Sequence, residues 1–119
     1  MIEIEKFARM TMLFDFYGQL LTNRQQEIME MFYADDLSLS EIAQESGISR
    51  QAVYDLLRRT ERILEGYENK LQLADKFAQQ SSRITRIGEL TLLAQKTKNL
   101  ALLDKISEII QEINELERK

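Results

Sequence analysis

Apolar residues recur at intervals of three and four along almost the whole chain. From about Glu3 to Gly18, the positions Phe7, Met10, Phe14, Tyr17 and Leu21 form one stripe, which predicts an amphipathic first helix. Thr22 followed three residues later by Gln25 has the spacing of a capping box. It opens a second helix whose buried side is expected at Ile28, Met31 and Phe32, ending in a polar turn at Asp35 and Asp36. Ser38 and Glu41 repeat the capping box, with Leu37 and Ile42 placed as a hydrophobic staple. Gly47 stands where this third helix must exit in a left-handed conformation, with Ile48 folding back on Ala43, and Ser49 caps the next helix.

Downstream, Val53, Leu57, Thr60, Leu64, Tyr67 and Leu71 keep the same rhythm. They predict one long helix to about Ala78, or two collinear helices kinked near Gly66. The stretch QQSSR at 79–83 reads as a break capped by Ser81 or Ser82, followed by a helix over 83–97 that buries Ile84, Ile87 and Leu90 with Leu93 or Ala94. Asn99 is placed to cap a last helix with a heptad-like seam of Leu102, Ile106, Ile109, Ile113 and Leu116, which Leu103 and Ile110 widen. Most of that seam is expected to pack within the chain, the remainder serving a homodimer.

Proline is absent from the 119 residues and only four glycines interrupt them, while no alternating β-branched run suggests a strand. The expected class is all-α: a helix-turn-helix domain over 1–68 and a helical extension over 69–119, packed on it or on a second subunit. There is no cysteine and no histidine. That removes disulfides, zinc–thiolate sites, thiol nucleophiles and the usual general base. With no phosphate-binding glycine loop and no nucleophile beside a base, the chain is expected to be non-catalytic, with no cofactor and no metal. Asp35–Asp36 reads as a surface turn, and Met10, Met12, Met29 and Met31 as core filler. No apolar run approaches the ~18 residues of a membrane span, and the N-terminus carries acids where a signal peptide carries bases. A cytoplasmic location without membrane insertion is the expectation.

Net charge is −4 but unevenly spread. Residues 22–68 hold five basic residues against ten acidic ones, whereas 69–98 hold six basic against two acidic. In the helix that follows Ser49, the residues Arg50, Gln51, Tyr54, Asp55 and Arg58 point outward near the N-terminal half, where a DNA-reading helix meets base edges and phosphates, although Asp55 is a poor neighbour for phosphate. Arg50 and Arg58 suit guanine or phosphate, Gln51 suits adenine, and Tyr54 suits a thymine methyl or a phosphate. The acidic surroundings leave a second reading open, a helix-turn-helix kept as a packing or protein-docking unit. Lys76, Arg83 and Arg86 in the basic stretch are candidate contacts to an RNA backbone, or an ordinary solvated face.

The run LLTNRQQEIMEMFYADDLSLSEIAQESGISRQAVYDLLRRTERIL resembles region 4 of bacterial sigma factors, the part that reads promoter DNA. With LFDFYGQLLTNRQ before it and RTERILEGYENKLQL after it, the chain from about Phe7 to Leu73 resembles the YlxM family of small bacterial proteins. The resemblance implies a sigma-region-4-like domain with extra C-terminal helices. It also implies a regulatory link to the signal recognition particle, through its RNA, its GTPase, or both. The alternatives are a transcriptional regulator reading duplex DNA through Ser49, Arg50, Gln51, Tyr54 and Arg58 of the 49–62 helix, and an adaptor that binds protein only.

Overall fold

The computed structural model describes residues 4–118, and every one of its regular elements is helical. Helix α1 spans Ile4–Tyr17 and passes through a 3₁₀ turn (Gly18–Leu20) to α2, Asn23–Met29, which continues into a π-type turn over Glu30–Ala34. Then come α3 (Leu39–Ser46), α4 (Arg50–Leu71), α5 (Leu73–Thr97) and α6 (Leu102–Glu117). The chain divides into two compact units, Met1–Ala74 and Asp75–Lys119. Glu3, the expected first residue of α1, lies outside the described residues.

The first unit is an all-α helix-turn-helix fold whose core joins α1, α2, α3 and α4. Met10, Leu13, Tyr17, Leu21, Ile28, Met29, Ile42, Val53, Leu57 and Leu64 are buried in it. On α1 the inward line is Met10, Leu13 and Tyr17, whereas Phe7 is 38% exposed. Phe14 instead covers Gly18, where a Cβ would lie 2.9 Å from its ring. The second helix also departs from the expected Ile28–Met31–Phe32 side. Its last turn closes through an Asp35 N–H bond to the Glu30 carbonyl (2.9 Å), one residue longer than an α-helical bond. The extra residue rotates the chain so that Met29 and Tyr33 are buried while Met31 and Phe32 are half-buried.

Both capping boxes form, Thr22 with Gln25 and Ser38 with Glu41. Gly47 adopts φ 69°, and its N–H and that of Ile48 both donate to the Ala43 carbonyl, so the turn between α3 and α4 is closed as expected. A Cβ at Gly47 meets no atom within 4 Å, so backbone conformation alone penalises a side chain there. Gly47→Ala is expected to cost about 1–2 kcal/mol. Urea denaturation checks this, and an unchanged midpoint would show that the turn tolerates another conformation.

Two expected boundaries are corrected. The long helix ends at Leu71 rather than near Ala78, because Gln72 turns left-handed (φ 55°). The reason is tertiary: the Leu73 N–H donates to the Tyr17 hydroxyl (3.0 Å) and the Ala74 N–H to the Glu68 carboxylate (3.1 Å). These acceptors satisfy the first amides of α5 as a local cap otherwise does. Gly66 produces no break in α4. The expected break at 79–83 does not exist either, since α5 runs through it. The Arg83 guanidinium donates to the Gln79 carbonyl (3.2 Å) and the Gln79 amide to Asp75 (2.9 Å), and serine without glycine or proline does not end a helix.

The second unit is an antiparallel pair of α5 and α6. Gln80 donates to Glu117 (2.7 Å) and Arg83 to Glu112 (3.1 Å), which fixes the register. The seam residues Leu102, Ile106, Ile109, Ile113 and Leu116 are all half-buried. Opposite them Leu90 is buried and Ile87 and Ala94 are half-buried, but Ile84, expected inside, is 60% exposed. Asn99 accepts the Ala101 N–H (3.1 Å), just ahead of α6.

Candidate nucleic-acid interface

Helix α4 begins at a fixed point. The Ser49 hydroxyl accepts the Ala52 N–H at 3.0 Å, and the left-handed Gly47 sets the angle at which the chain enters. Val53, Leu57, Thr60 and Leu64 lock the inner side of the helix into the core, so its outer side is rigidly presented. That outer side carries Gln51, Tyr54, Asp55, Arg58, Arg59 and Arg62, all exposed, with Arg50 at its start. The Gln51 amide donates to Asp55 (3.0 Å), and the Arg58 guanidinium lies 6.0 Å from the Tyr54 ring centroid, a cation–π distance. Among the described residues, Arg50, Arg58, Arg59 and Arg62 form no ion pair. Tyr54, Asp55, Arg58, Arg59 and Arg62 line a shallow depression of about 310 Å³.

Three of the ten acids that make residues 22–68 negative are engaged further along this helix. Glu61 is 7% exposed, accepts from the Tyr33 hydroxyl (2.6 Å) and pairs with Lys6 (3.2 Å). Glu65 takes both ends of the Arg9 guanidinium, at 2.6 and 2.7 Å. Glu68 is 7% exposed and accepts from the Tyr17 hydroxyl at 2.5 Å. Burial and then the Glu61 bond hold the Tyr33 phenol well above its ordinary titration range. Helix α1 thus supplies two cations that offset Glu61 and Glu65, two of the carboxylates near the exposed arginines. Between α1 and α4 runs a groove of about 520 Å³ in which Lys6, Arg9, Arg58 and Arg62 meet Glu61 and Glu65. Sequence reasoning counted Lys6 and Arg9 only as charge, since their partners lie 55 and 56 positions away.

The Arg9–Glu65 pair also makes stability pH-dependent. Hydrogen bonding to Arg9 lowers the Glu65 pKa below its ordinary 4.5. A depressed carboxylate contributes stability above its unfolded pKa and loses it as pH falls through the folded value. Arg9→Gln should therefore destabilise the protein at neutral pH, and the gap from wild type should close below about pH 4. Urea midpoints measured across that range give the result, and a gap that stays constant would assign the loss to packing.

Of the sequence-derived site residues, Ser49, Arg50, Gln51, Tyr54 and Arg58 come together on α4, although the Ser49 hydroxyl is occupied by its capping bond. Lys76, Arg83 and Arg86 are placed differently. Arg83 is bound to Glu112 (3.1 Å), Arg86 pairs with Glu89 (3.4 Å), and Lys76 is half-buried. Among the described residues no cluster of three potential metal ligands occurs, and no helix is long and apolar enough to cross a membrane.

Comparison with known proteins agrees with this architecture. A family model described as "Putative helix-turn-helix protein, YlxM / p13 like" (UPF0122) matches residues 4–105. The chain is 45% identical over 109 residues to a UPF0122 protein of Bacillus velezensis, covering 91% of this chain and 99% of that protein. A UPF0122 protein of Streptococcus agalactiae is 49% identical over 106 residues, covering 89% of this chain and 92% of the relative. One from Lactococcus lactis subsp. cremoris is 45% identical over 116 residues, covering 98% and 99%. These matches run across the helix-turn-helix and most of the helical extension, and the chain belongs to the YlxM/p13-like helix-turn-helix family.

Proposed function

We propose that the protein is a non-catalytic regulator that binds nucleic acid through the outer side of α4, with duplex DNA as the ligand its geometry suits best. The observation that carries this reading is the set of four arginines that form no ion pair among the described residues, on a helix whose start and inner side are pinned. From Arg50 to Arg62 the helix rises about 18 Å, enough to follow a major groove and reach the flanking phosphates. Arg50 and Gln51 stand at the N-terminal end, where base edges are read, and Tyr54 follows one turn on. Arg58, Arg59 and Arg62 are the phosphate contacts, and the engagement of Glu61, Glu65 and Glu68 lowers the repulsion that the sequence implies, while Asp55 stays beside them.

Action within the signal recognition particle pathway is the second reading, and the resemblance to the YlxM family supports it. In that reading the same arginines meet the particle's RNA, or the protein engages its GTPase, with Lys76 as a further contact and Arg83 and Arg86 adding theirs only by exchanging Glu112 and Glu89 for phosphate.

Fluorescence anisotropy against duplex genomic fragments and against signal recognition particle RNA, over a salt titration, tests both readings. Preferential, salt-dependent duplex binding that is lost in Arg50→Ala/Tyr54→Ala supports the DNA reading. Tighter binding to the RNA moves the protein to the particle, and binding to neither, with capture of the GTPase, makes it an adaptor.

A further inference from the structure

The helical pair of Asp75–Lys119 is underpacked for its size. Among its described residues only Leu90 is buried, and no residue of α6 is. Units this small rarely hold together without a staple, a metal or oligomerisation, and this one has no cysteine.

Three of its exposed apolar residues, Ile84, Leu103 and Ile110, share one side. Helices turn about 100° per residue, so the residues about a quarter-turn past the inward line are Ile84, Gly88 and Thr91 on α5, and Leu103, Ser107 and Ile110 on α6. In an antiparallel pair the same sense of rotation brings both sets to one broad side. Ile84 is 60% exposed, Leu103 51% and Ile110 46%. Ile84–Thr91 and Leu103–Ile110 repeat at seven residues, the period of packed helices. None of the six is charged, and Gly88 and Ser107 are small enough for close approach. Depletion of charge at the centre with charge at the edges is the composition of a protein interface and unlike a nucleic-acid surface.

We propose that this side is the interface of a homodimer in which two α5–α6 pairs form an antiparallel four-helix bundle. The occupant is a second copy because the charge pattern is self-complementary. Helix α5 carries four basic residues against two acidic, and α6 carries one basic against five acidic. A two-fold axis that sets each α5 beside its partner's α6 gives opposite charge at every adjacent edge and keeps like-charged helices on the diagonals. The inference is independent of the nucleic-acid reading.

Sedimentation velocity on the full chain over a concentration series tests it. The wild-type chain is expected to sediment as a dimer in the micromolar range. Ile110→Glu and, separately, Leu103→Glu should raise the dimer dissociation constant about 100-fold while helical circular dichroism is unchanged. Leu93→Glu, at a position 47% exposed on the side of α5 opposite Ile84 and Thr91, should leave the dimer intact. A wild-type chain that stays monomeric, or an Ile110→Glu variant that dimerises as wild type does, overturns the proposal. So does a dimer that Leu93→Glu disrupts equally.

Discussion

Arg58→Ala combined with Arg62→Ala is expected to weaken duplex binding about 50-fold at moderate salt and to lower the slope of log affinity against log salt by about two. Each arginine is exposed on the outer side of α4 and forms no ion pair among the described residues, so each brings its full charge to a phosphate. Neither side chain belongs to the core, and the fold should lose no more than about 0.5 kcal/mol. The comparison that gives the result its meaning is Arg83→Ala with Arg86→Ala. Those arginines are tied to Glu112 and Glu89, and removing them should change the slope by much less than two. Equal losses from both pairs would place the ligand across the second helical unit as well. A loss from Arg83 and Arg86 alone would reject α4 as the contact surface.

Arg9→Gln is informative beside that pair because Arg9 acts through a carboxylate. Its loss frees the Glu65 charge close to Arg58 and Arg62, in a groove that all four residues line. Affinity should fall with an intact α4, and raising the salt should narrow the difference.

The helix-turn-helix was legible because its signals are local. A capping box spans three residues, a left-handed glycine closes its own turn, and Ser49 caps its own helix, so α3, the turn and α4 can be placed from sequence. Tertiary acceptors were not legible. The α4–α5 boundary is set by Tyr17 and Glu68, which accept the Leu73 and Ala74 amides, and nothing between Leu71 and Ala78 announces that. The apparent break at QQSSR failed for the complementary reason: serines that could cap a helix lie inside one when side chains bridge the same turns. The π-type turn before Asp35 moved the buried position from Phe32 to Tyr33, a shift that periodicity cannot register. The interface was half legible. Arg50 and Arg58 on α4 could be named, but the charge balance around them depends on pairs joining α1 to α4.

Tyr17→Phe is expected to be the costliest single-atom change in the protein. The Tyr17 hydroxyl is in a side chain 1% exposed, donates to the Glu68 carboxylate at 2.5 Å and accepts the Leu73 N–H at 3.0 Å. Phenylalanine keeps the ring's packing and removes both bonds at once, leaving a buried carboxylate short of a donor and an amide short of an acceptor. About 2–3 kcal/mol should be lost. With a urea dependence of about 1–2 kcal/mol per molar, the midpoint should fall by at least about 1 M. Glu68→Gln retains an oxygen that can take the Ala74 N–H and should cost less, and the double variant should cost less than the two losses added, because the pair shares one bond. Alkaline pH supplies an independent reading of the same contact. Burial, and then the bond to Glu68, raise the Tyr17 pKa above its ordinary 10.0. A phenol raised in the folded state contributes stability that is complete below its unfolded pKa and is lost as pH rises beyond it. Wild type should therefore lose stability above about pH 10, and Tyr17→Phe should show less of that loss, with the remainder assigned to Tyr33, whose phenol is raised in the same way. If Tyr17→Phe shifted the midpoint by under about 0.3 M and left the alkaline limb unchanged, the hydroxyl would be no part of what ends α4.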